Sequence, residues 1–530
     1  MANKNILLIE PGYKNKYPPL GLMKLAAYHG PHGKKDNVTF IKGDKDRSVF
    51  NVNWDRIYVT TLFSFEWKEI AKSIDFAISI VKNDTTKVFV GGIAASLMHE
   101  RFMAEPRWRG VRFISGLLSA PPAPSLQLDD FSEELYSSDA SGTPIEDLVP
   151  DYSILDQISE QYVYPVNDAY FAYASRGCVR KCHFCGVPKL EGEQRDSQSI
   201  TGLIKAIDAR HGVKRDLMLM DNNVVASPNY RNIIAEIRDI GFEKGATLRR
   251  PGKPAVQRRV DFNQGVDARI LCKDKMYLQE MSTIAIRPLR IAFDHLGVRK
   301  AYETAIHMAH EVGLHDLSNY MLYNFKDTPS DLYERMRLNI DLNESLNIRI
   351  FSFPMRYQPT DLPDRSHVGE HWTGYGLRSM QIILQATHGI VSGAPDFFRE
   401  AFGDSKIEFE KLLLRPQHYL FNRFWYQYHE GRPELDAFQS EFDQLSDTER
   451  QELAGLLSSK TPSGFAGLIG KADSTKVNRI LNYYVPIPKD EEAEIWKVMK
   501  LRLQESKKAR ADIPADELVE DAGLAEPELA

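Results

Sequence analysis

The chain has few cysteines and no long apolar run. Only four of its 530 residues are cysteine, which excludes a small fold held together by several disulfide bonds. No apolar stretch approaches the roughly 18 residues of a membrane-spanning helix, and the segment MANKNILLIEPG lacks the long apolar core of a signal peptide. We therefore expect a cytoplasmic protein without a membrane partner, in which clustered cysteines indicate metal binding or catalysis.

The chain also lacks an excess of charge of one sign. It has 67 lysines and arginines against 73 acidic residues, a net charge of −6, which argues against a dedicated nucleic-acid-binding protein. Hydrophobic residues make up 43% and charged residues 26%, which is typical of globular proteins and excludes wholesale disorder. At about 150 residues per domain, the length predicts two to four domains.

Three of the four cysteines lie within eight residues. They are Cys178, Cys182 and Cys185, spaced C-x3-C-x2-C in the string GCVRKCHFCG. A short loop that curls once can bring three sulfurs to one side, and Gly177 and Gly186 permit the close backbone approach that this needs. Thiolates are soft ligands, so the cluster of cysteines predicts either an iron–sulfur cluster or zinc.

The cysteine spacing, with the aromatic Phe184 directly before the last cysteine, resembles the signature of the radical S-adenosylmethionine (SAM) superfamily. The resemblance implies a [4Fe–4S] cluster with Cys178, Cys182 and Cys185 as its metal-ligating and catalytic residues. SAM would bind the open iron, and one electron would cleave it to methionine and a 5′-deoxyadenosyl radical. The implied partners are an electron donor of the flavodoxin or ferredoxin type and a small-molecule or peptide substrate.

A second interpretation of the same residues stays open. Cys178, Cys182, His183 and Cys185 could close a Cys3His zinc site, although the adjacent Cys182 and His183 would strain to share one tetrahedral ion. The protein would then be a zinc-stabilised, non-enzymatic binding module. Its anionic partner would bind the basic stretch 244–259, which carries six lysines and arginines and no acid. A solvated loop is the alternative for that stretch.

Residues 1–118 alternate apolar strands with helical patterns. We predict strands at 5–11, 37–41, 56–62 and 87–92 and helices near 20–29 and 66–82. This alternation predicts a doubly wound (Rossmann- or flavodoxin-like) α/β domain that binds ligands at the carboxyl ends of its strands.

The strings YPPLGLMKLAAY (17–28) and VFVGGIAAS (88–96) resemble the cobalamin (B12)-binding domain that precedes many radical SAM domains. The family's axial-histidine motif, Asp-x-His-x-x-Gly, is missing from the loop PGYKNKYPPLG. Either cobalamin binds without a protein histidine, or the domain does not bind it. If cobalamin is bound, methyl transfer to an unactivated carbon is the expected reaction; otherwise another radical modification is expected.

After a predicted linker at 119–165, about six β-α units follow, with strands near 170–175, 216–223, 260–271, 289–296, 319–325 and 348–357. The resemblance implies a partial (β/α)6 TIM-like barrel over 166–360, with its site at the carboxyl ends of the strands. The candidate cofactor-binding residues are Phe184, Asp221, Asn222, Asn223, Arg269, Asp294, Asn324 and Ser352. Polar residues at strand ends also form turns and helix caps, which is the alternative for each of them.

The strand pattern is lost after residue 360. Residues 361–510 predict a helical C-terminal domain, and 511–530 an acidic, disordered tail. The aromatic-rich segment 416–431 predicts core packing rather than a platform for bases. Cys272, alone in the sequence, predicts a buried small apolar side chain.

Overall fold

The computed structural model describes residues 3–82, 84–118 and 143–511. The predicted tail from residue 512, and the predicted linker as far as residue 142, lie outside these ranges. The chain divides into two compact units. The first comprises Met1–Glu370 with Ile390–Phe398, and the second His371–Gly389 with Arg399–Ala530. In the part of the chain that is described, no helix is long and apolar enough to cross a bilayer.

The first unit opens with a five-stranded sheet in which every neighbouring pair is parallel. Its strands are β1 (Asn5–Glu10), β2 (Asn37–Lys42), β3 (Arg56–Thr61), β4 (Val88–Gly92) and β5 (Arg112–Phe113), in the order β2-β1-β3-β4-β5. This is the flavodoxin-like order, which reverses direction between β1 and β3. The associated helices are Leu20–His29, Trp67–Ile80, Ile93–Leu97 and His99–Met103. The strands read as continuous apolar runs because helices cover both faces of such a sheet.

Ten more strands follow in the described residues of the same unit. They are β6 (Ala169–Ala172), β7 (Ser175–Arg176), β8 (Arg195–Asp196), β9 (Asp216–Leu219), β10 (Thr247–Leu248), β11 (Val256–Gln257), β12 (Arg259–Phe262), β13 (Leu289–Arg290), β14 (Asp316–Tyr323) and β15 (Arg349–Arg356). Six of them form a parallel series in chain order, β6-β9-β12 and β13-β14-β15. Parallel bridges Val260–Ile286 and Val266–Ile291 join the two halves. The carboxyl ends of the six strands therefore share one edge.

Helices connect the strands of this series, as a parallel arrangement requires. They are Val187–Leu190, Ile200–His211, Tyr230–Ile237, Ala268–Leu271, Met276–Met281, Arg299–Glu311 and Pro329–Leu346. The structure thus confirms a mixed α/β protein with parallel sheets. The strand predicted at 260–271 is wrong beyond Phe262, because Gly265 has a φ of 78° and Asp267 caps the helix that begins at Ala268.

The second unit is helical. Its described α-helices are Gly374–Ala386, Lys406–Leu413, Gln417–Phe421, Arg423–Tyr428, Arg432–Phe442, Asp447–Ser458, Thr475–Ile480 and Lys489–Ala511. The helix Pro395–Phe402 begins in the first unit and ends in the second. Tyr419 and Tyr426 lie in its core at 1% and 2% exposure, as core packing predicts. Phe421 and Tyr428 are 50% and 55% exposed. Core packing therefore holds for only part of the aromatic-rich segment, because the opposite faces of its two short helices meet solvent.

Candidate functional site

The three clustered cysteines lie on one loop that leaves the carboxyl end of the first strand in the parallel series. The short antiparallel pair of β7 and β8 closes this cysteine loop, residues 177–194. Gly177 opens the loop with a φ of 73°, and a Cβ there would lie 2.5 Å from the carbonyl carbon of Glu193. The amide of Cys178 donates to the carbonyl oxygen of Gly192 at 3.3 Å. Glycine is thus required where the two ends of the loop touch.

The thiols of the loop receive backbone hydrogen bonds. The sulfur of Cys178 accepts the amide of Arg180 at 3.3 Å, and that of Cys185 accepts the amide of Val187 at 3.5 Å. Burial raises the pKa of Cys182, against the opposing charge of Arg269, and burial also raises the pKa of Cys185. A positive metal centre is what would hold such thiols ionised together.

The chemistry of this donor set fits an iron–sulfur cluster. Such clusters are ligated by thiolates, and hydrogen bonds to sulfur tune their potential. All three thiols are partly exposed, so iron and sulfide can reach them. Among the residues described here, however, no three histidine, cysteine or acidic side chains stand in a metal-binding arrangement. The structure places the three cysteines on one loop. That their sulfurs converge on one metal centre stays a prediction.

Asp221 and Asn222, the first two predicted residues after β9, form hydrogen bonds to the cysteine loop and to the strand before it. Asp221, 2% exposed, accepts the amide of Ala174 at 2.9 Å and the hydroxyl of Ser175 at 2.7 Å. Burial raises its pKa to about 6, against the effect of these hydrogen bonds. Asn222 donates to Glu191 at 3.0 Å. Both side chains are used within the chain, and their assignment as SAM contacts stays a prediction.

Asn223 differs from its two neighbours. It is 3% exposed, and within the described ranges its side-chain oxygen has no hydrogen-bond partner. A buried acceptor without a donor costs about 1–3 kcal/mol. Such an atom at the carboxyl end of a strand suits a ligand that donates, such as an ammonium group.

Two carboxyl groups, those of Asp267 and Asp294, lie close enough to Cys182 to affect its pKa. Their own surroundings differ. Asp267 receives a bidentate pair from Arg269, at 2.8 and 3.1 Å, and a third bond from Arg180 at 2.6 Å. Although burial acts to raise the pKa of Asp267, these guanidinium groups hold it below its usual value. Burial raises the pKa of Asp294 to about 6 in spite of nearby arginines. Carboxyls whose pKa values are driven apart are suited to different roles.

An aromatic row leads away from the cysteine loop. The ring of Phe184 meets that of Phe325 edge-on at 5.7 Å, and Phe325 meets Tyr357 at 4.7 Å. Asn324, fully buried, donates to the carbonyl oxygens of Tyr357 at 3.1 Å and His367 at 3.2 Å. Phe184 therefore packs at the mouth of the strands, while Asn324 fixes the segment that follows β15.

Ser352 lies apart from the other predicted residues. Its hydroxyl accepts the amide of Asn339 at 2.8 Å, and Asn339 in turn accepts the hydroxyl of Tyr302 at 2.9 Å. Both partners belong to helices, so Ser352 is on the helix-covered face of β15. Phe353, its neighbour on the strand, faces the ring of Tyr320 at 5.8 Å on the other side. The structure does not bring Ser352 to the cysteine loop.

Arg335, which was not predicted as a site residue, organises the strand ends. This side chain is fully buried in the helix Pro329–Leu346. It donates to the carbonyl oxygens of Asp294 and Leu322, both at 2.8 Å, and of Phe293 at 3.2 Å, and it pairs with Asp327 at 2.9 Å. An arginine amid polar helix residues gives no signal of this role, because the same pattern is typical of a solvated face.

The carboxyl edge of the first sheet meets the mouth of the parallel series. Tyr17, after β1, donates to Asn263, after β12, at 2.6 Å. Phe65, after β3, lies 4.2 Å beneath the guanidinium of Arg365. The same loops and strand ends carry exposed apolar side chains, at 39–50%, which are Phe63, Ile93, Val179, Met355 and Val368. The carboxyl edges of two parallel sheets, where ligands bind in many α/β proteins, thus border one region.

The basic stretch lies at the other end of the strands. Arg250 pairs with Asp168 at 2.7 and 2.8 Å, just before β6. Arg259, at the start of β12, pairs with Asp216 at 2.9 Å, and Arg258 donates to three backbone carbonyl oxygens. These pairs do not test the interpretation of this stretch as an electropositive surface for an anionic partner, which stays a prediction. Three of its six cations are engaged within the chain, away from the cysteine loop.

Comparisons with known proteins add little. No protein-family model matches the chain, and no curated protein does. One similar solved structure is the radical SAM methyltransferase TsrM from Kitasatospora setae with cobalamin and a [4Fe–4S] cluster bound. It has a TM-score of 0.43 and 16% identity over 68% of this chain and 74% of that one. Another is Streptococcus suis SuiB bound to its precursor peptide SuiA, with a TM-score of 0.28 and 12% identity over 44% and 50%. At these scores the likenesses carry no argument.

Proposed function

We propose that the protein is a radical SAM enzyme in which Cys178, Cys182 and Cys185 hold a [4Fe–4S] cluster. The observation that carries the proposal is the C-x3-C-x2-C loop at the carboxyl end of the first of six parallel strands, with backbone amides donating to two of its sulfurs. When bound, the cluster supplies the electron that cleaves SAM to methionine and a 5′-deoxyadenosyl radical.

The chain's own residues then have distinct tasks. The unpartnered oxygen of Asn223 would accept a hydrogen bond from the ammonium group of SAM. Phe184 covers the loop on the side of Phe325 and limits the access of water. Asp267 keeps Arg180 and Arg269 beside the cysteines, where their charge offsets that of a thiolate-ligated centre.

The region bordered by both carboxyl edges supports a cobalamin-dependent reaction. Its exposed apolar side chains suit the flat face of a large ring-shaped ligand. Such a ligand would lie between the first sheet and the cysteine loop. The domain has no axial histidine in the loop after β1, so cobalamin would bind without one. Methyl transfer is the reaction that this arrangement favours; the substrate is a small molecule or peptide, and a flavodoxin- or ferredoxin-type protein supplies the electron.

Anaerobic reconstitution tests the proposal. The protein is loaded with iron and sulfide, reduced, mixed with SAM and assayed for 5′-deoxyadenosine. Cys182→Ala removes one ligand, and Cys272→Ala is the matched control, because Cys272 lies outside the loop. We expect deoxyadenosine from the wild type and Cys272→Ala, and none from Cys182→Ala. The visible spectrum after desalting, with and without added cobalamin, tests the second cofactor.

Each outcome decides one part of the proposal. Bound zinc with no cluster and no SAM cleavage would overturn the enzyme and favour the zinc-stabilised module. SAM cleavage without cobalamin retention would keep the enzyme and exclude cobalamin-dependent methyl transfer in favour of another radical modification.

A further inference from the structure

The carboxylate of Glu191, near the end of the cysteine loop, binds residues at the start of the loop. Glu191, near the end of the loop, accepts the backbone amide of Gly177 at 2.9 Å and the side-chain amide of Asn222 at 3.0 Å on one oxygen. Its other oxygen accepts a guanidinium nitrogen of Arg176 at 3.0 Å. Glu191 thus ties the residues before Cys178 to the strand end after β9.

A chain of buried ion pairs connects Glu191 to residues outside the cysteine loop. Arg176 also pairs with Glu146, and Glu146 accepts the ammonium of Lys24 at 2.8 Å. The side chains of Lys24, Glu146, Arg176 and Glu191 are only 9%, 16%, 10% and 13% exposed. The guanidinium of Arg176 lies 3.4 Å from the ring centre of Tyr173. Desolvated pairs of this kind hold one geometry, because removing a partner leaves a buried charge uncompensated.

Asp221 and Glu191 bind different residues at the start of the cysteine loop. Asp221 binds Ala174 and Ser175, and Glu191 binds Gly177 and Arg176. Asp221 therefore fixes the strand before the loop, whereas Glu191 fixes the turn from which Cys178 leaves. Ligation requires sulfur positions within about 0.2 Å of their ideal distances, so freedom at Gly177 is transmitted directly to the first ligand.

We propose that Glu191 is a positioning residue that holds the cysteine loop in the arrangement needed for three-thiol ligation. The proposal rests on the proposed function, since it assumes that the cysteines bind a cluster. The contact of Glu191 with Gly177 is itself independent of any metal and can be measured without one.

The test compares three variants of the full-length protein. Glu191→Ala removes the hydrogen bonds of the carboxylate to Gly177, Asn222 and Arg176. Glu191→Gln keeps an oxygen for Gly177 and gives up the charge opposite Arg176. Glu193→Ala is the matched control, because Glu193 lies two residues away in the same loop, its side chain is 90% exposed, and its carboxylate lies 3.9 Å from the ammonium of Lys181.

Two measurements are made on each variant. Hydrogen exchange of the metal-free protein follows the peptide that contains Gly177 and Cys178. Reconstituted protein is then challenged with a chelator, and the rate of iron loss and the electron paramagnetic resonance spectrum of the reduced centre are recorded.

We expect Glu191→Ala to speed exchange at Gly177 about tenfold, the worth of one hydrogen bond to a charged acceptor. Iron loss should speed up and the spectrum should shift. Glu191→Gln should restore slow exchange, and Glu193→Ala should match the wild type. Equal exchange and iron loss in Glu191→Ala and the wild type, or an equal effect of Glu193→Ala, would overturn the proposal.

Two safeguards keep the outcomes separate. If Glu191→Ala does not fold, Asn222→Ala, which removes one of the two amides on the same oxygen, must speed exchange at Gly177 by a smaller factor; no change would overturn the proposal. If the wild type takes up no iron, the proposed function fails, while the exchange data still decide whether Glu191 holds the loop.

Discussion

Gly177 and Gly192 provide a direct test of why the cysteine loop needs glycine at its base. Their φ angles are 73° and 74°, so an alanine at either position suffers the same left-handed backbone strain. They differ in space. A Cβ at Gly177 would meet the carbonyl carbon of Glu193 at 2.5 Å and the carbonyl oxygen of Gly192 at 2.8 Å, whereas a Cβ at Gly192 meets nothing within 4 Å.

The magnitudes follow from this difference. The left-handed conformation costs an alanine about 1–2 kcal/mol, so Gly192→Ala should lose about that much. Gly177→Ala adds a backbone collision that no side-chain rotation can relieve. Overpacking of a fixed structure costs about 1–3 kcal/mol more. The loop should open locally before the protein unfolds, because only the short pair of β7 and β8 closes it, whereas the strands of the sheets pair over up to eight residues.

The assay therefore needs a local and a global measurement. Urea denaturation gives the free energy of unfolding, and hydrogen exchange across residues 174–180 reports the opening of the loop. We expect Gly177→Ala to speed local exchange at least tenfold more than Gly192→Ala and to weaken retention of iron. Equal effects of the two substitutions would refute the reasoning, because backbone strain alone would then account for both.

Two more predictions concern buried charges around the same strand ends. Burial raises the pKa of Asp221 from 3.8 to about 6. Its proton therefore stabilises the folded state fully below about pH 4, and this stability, about 3 kcal/mol, is lost as pH rises through about 6. Asp221→Asn should flatten that part of the profile in urea denaturation from pH 4 to 7.5, and an unchanged profile would contradict the assignment. Arg335→Leu should cost about 3–5 kcal/mol of stability, since it removes the buried guanidinium that pairs with Asp327 and binds three backbone carbonyl oxygens. Arg337→Leu, which breaks an exposed pair on the same helix, should cost less than about 1 kcal/mol in the same denaturation assay, and equal losses would argue against the role of Arg335.

The sequence predicted the elements of the first sheet well because their signals are local. The strands predicted at 5–11, 37–41, 56–62 and 87–92 correspond to β1–β4, and the helices near 20–29 and 66–82 are present. A continuous apolar run marks a strand buried on both faces, and a 3.6-residue period marks the helix beside it. Strand ends were less well predicted. The run from 260 reads on smoothly, whereas Gly265 and Asp267 turn the chain after Phe262.

The candidate site was predictable only where the spacing of residues in the sequence itself indicates the chemistry. Three cysteines within eight residues need no tertiary information. The polar residues at the strand ends look alike in sequence, yet the fold gives them different surroundings. Asp221 and Asn324 are occupied by backbone groups, Asn223 keeps an unpartnered oxygen, and Ser352 faces the helices. Which face of a strand a residue occupies depends on the exact strand register, and this was beyond the sequence pattern.

Glu191 and Arg335 show why the supporting residues escaped prediction altogether. Each is a charged side chain in a stretch whose composition is typical of a solvated surface, and each becomes structural because its partners come from distant parts of the chain. Glu191 joins a turn to a strand end 31 residues away, and Arg335 collects carbonyl oxygens up to 42 residues away. Such positions are set by the meeting of elements and not by any local period. The ligands of a site can therefore be found from a motif, whereas the residues that aim those ligands are found only once the fold is known.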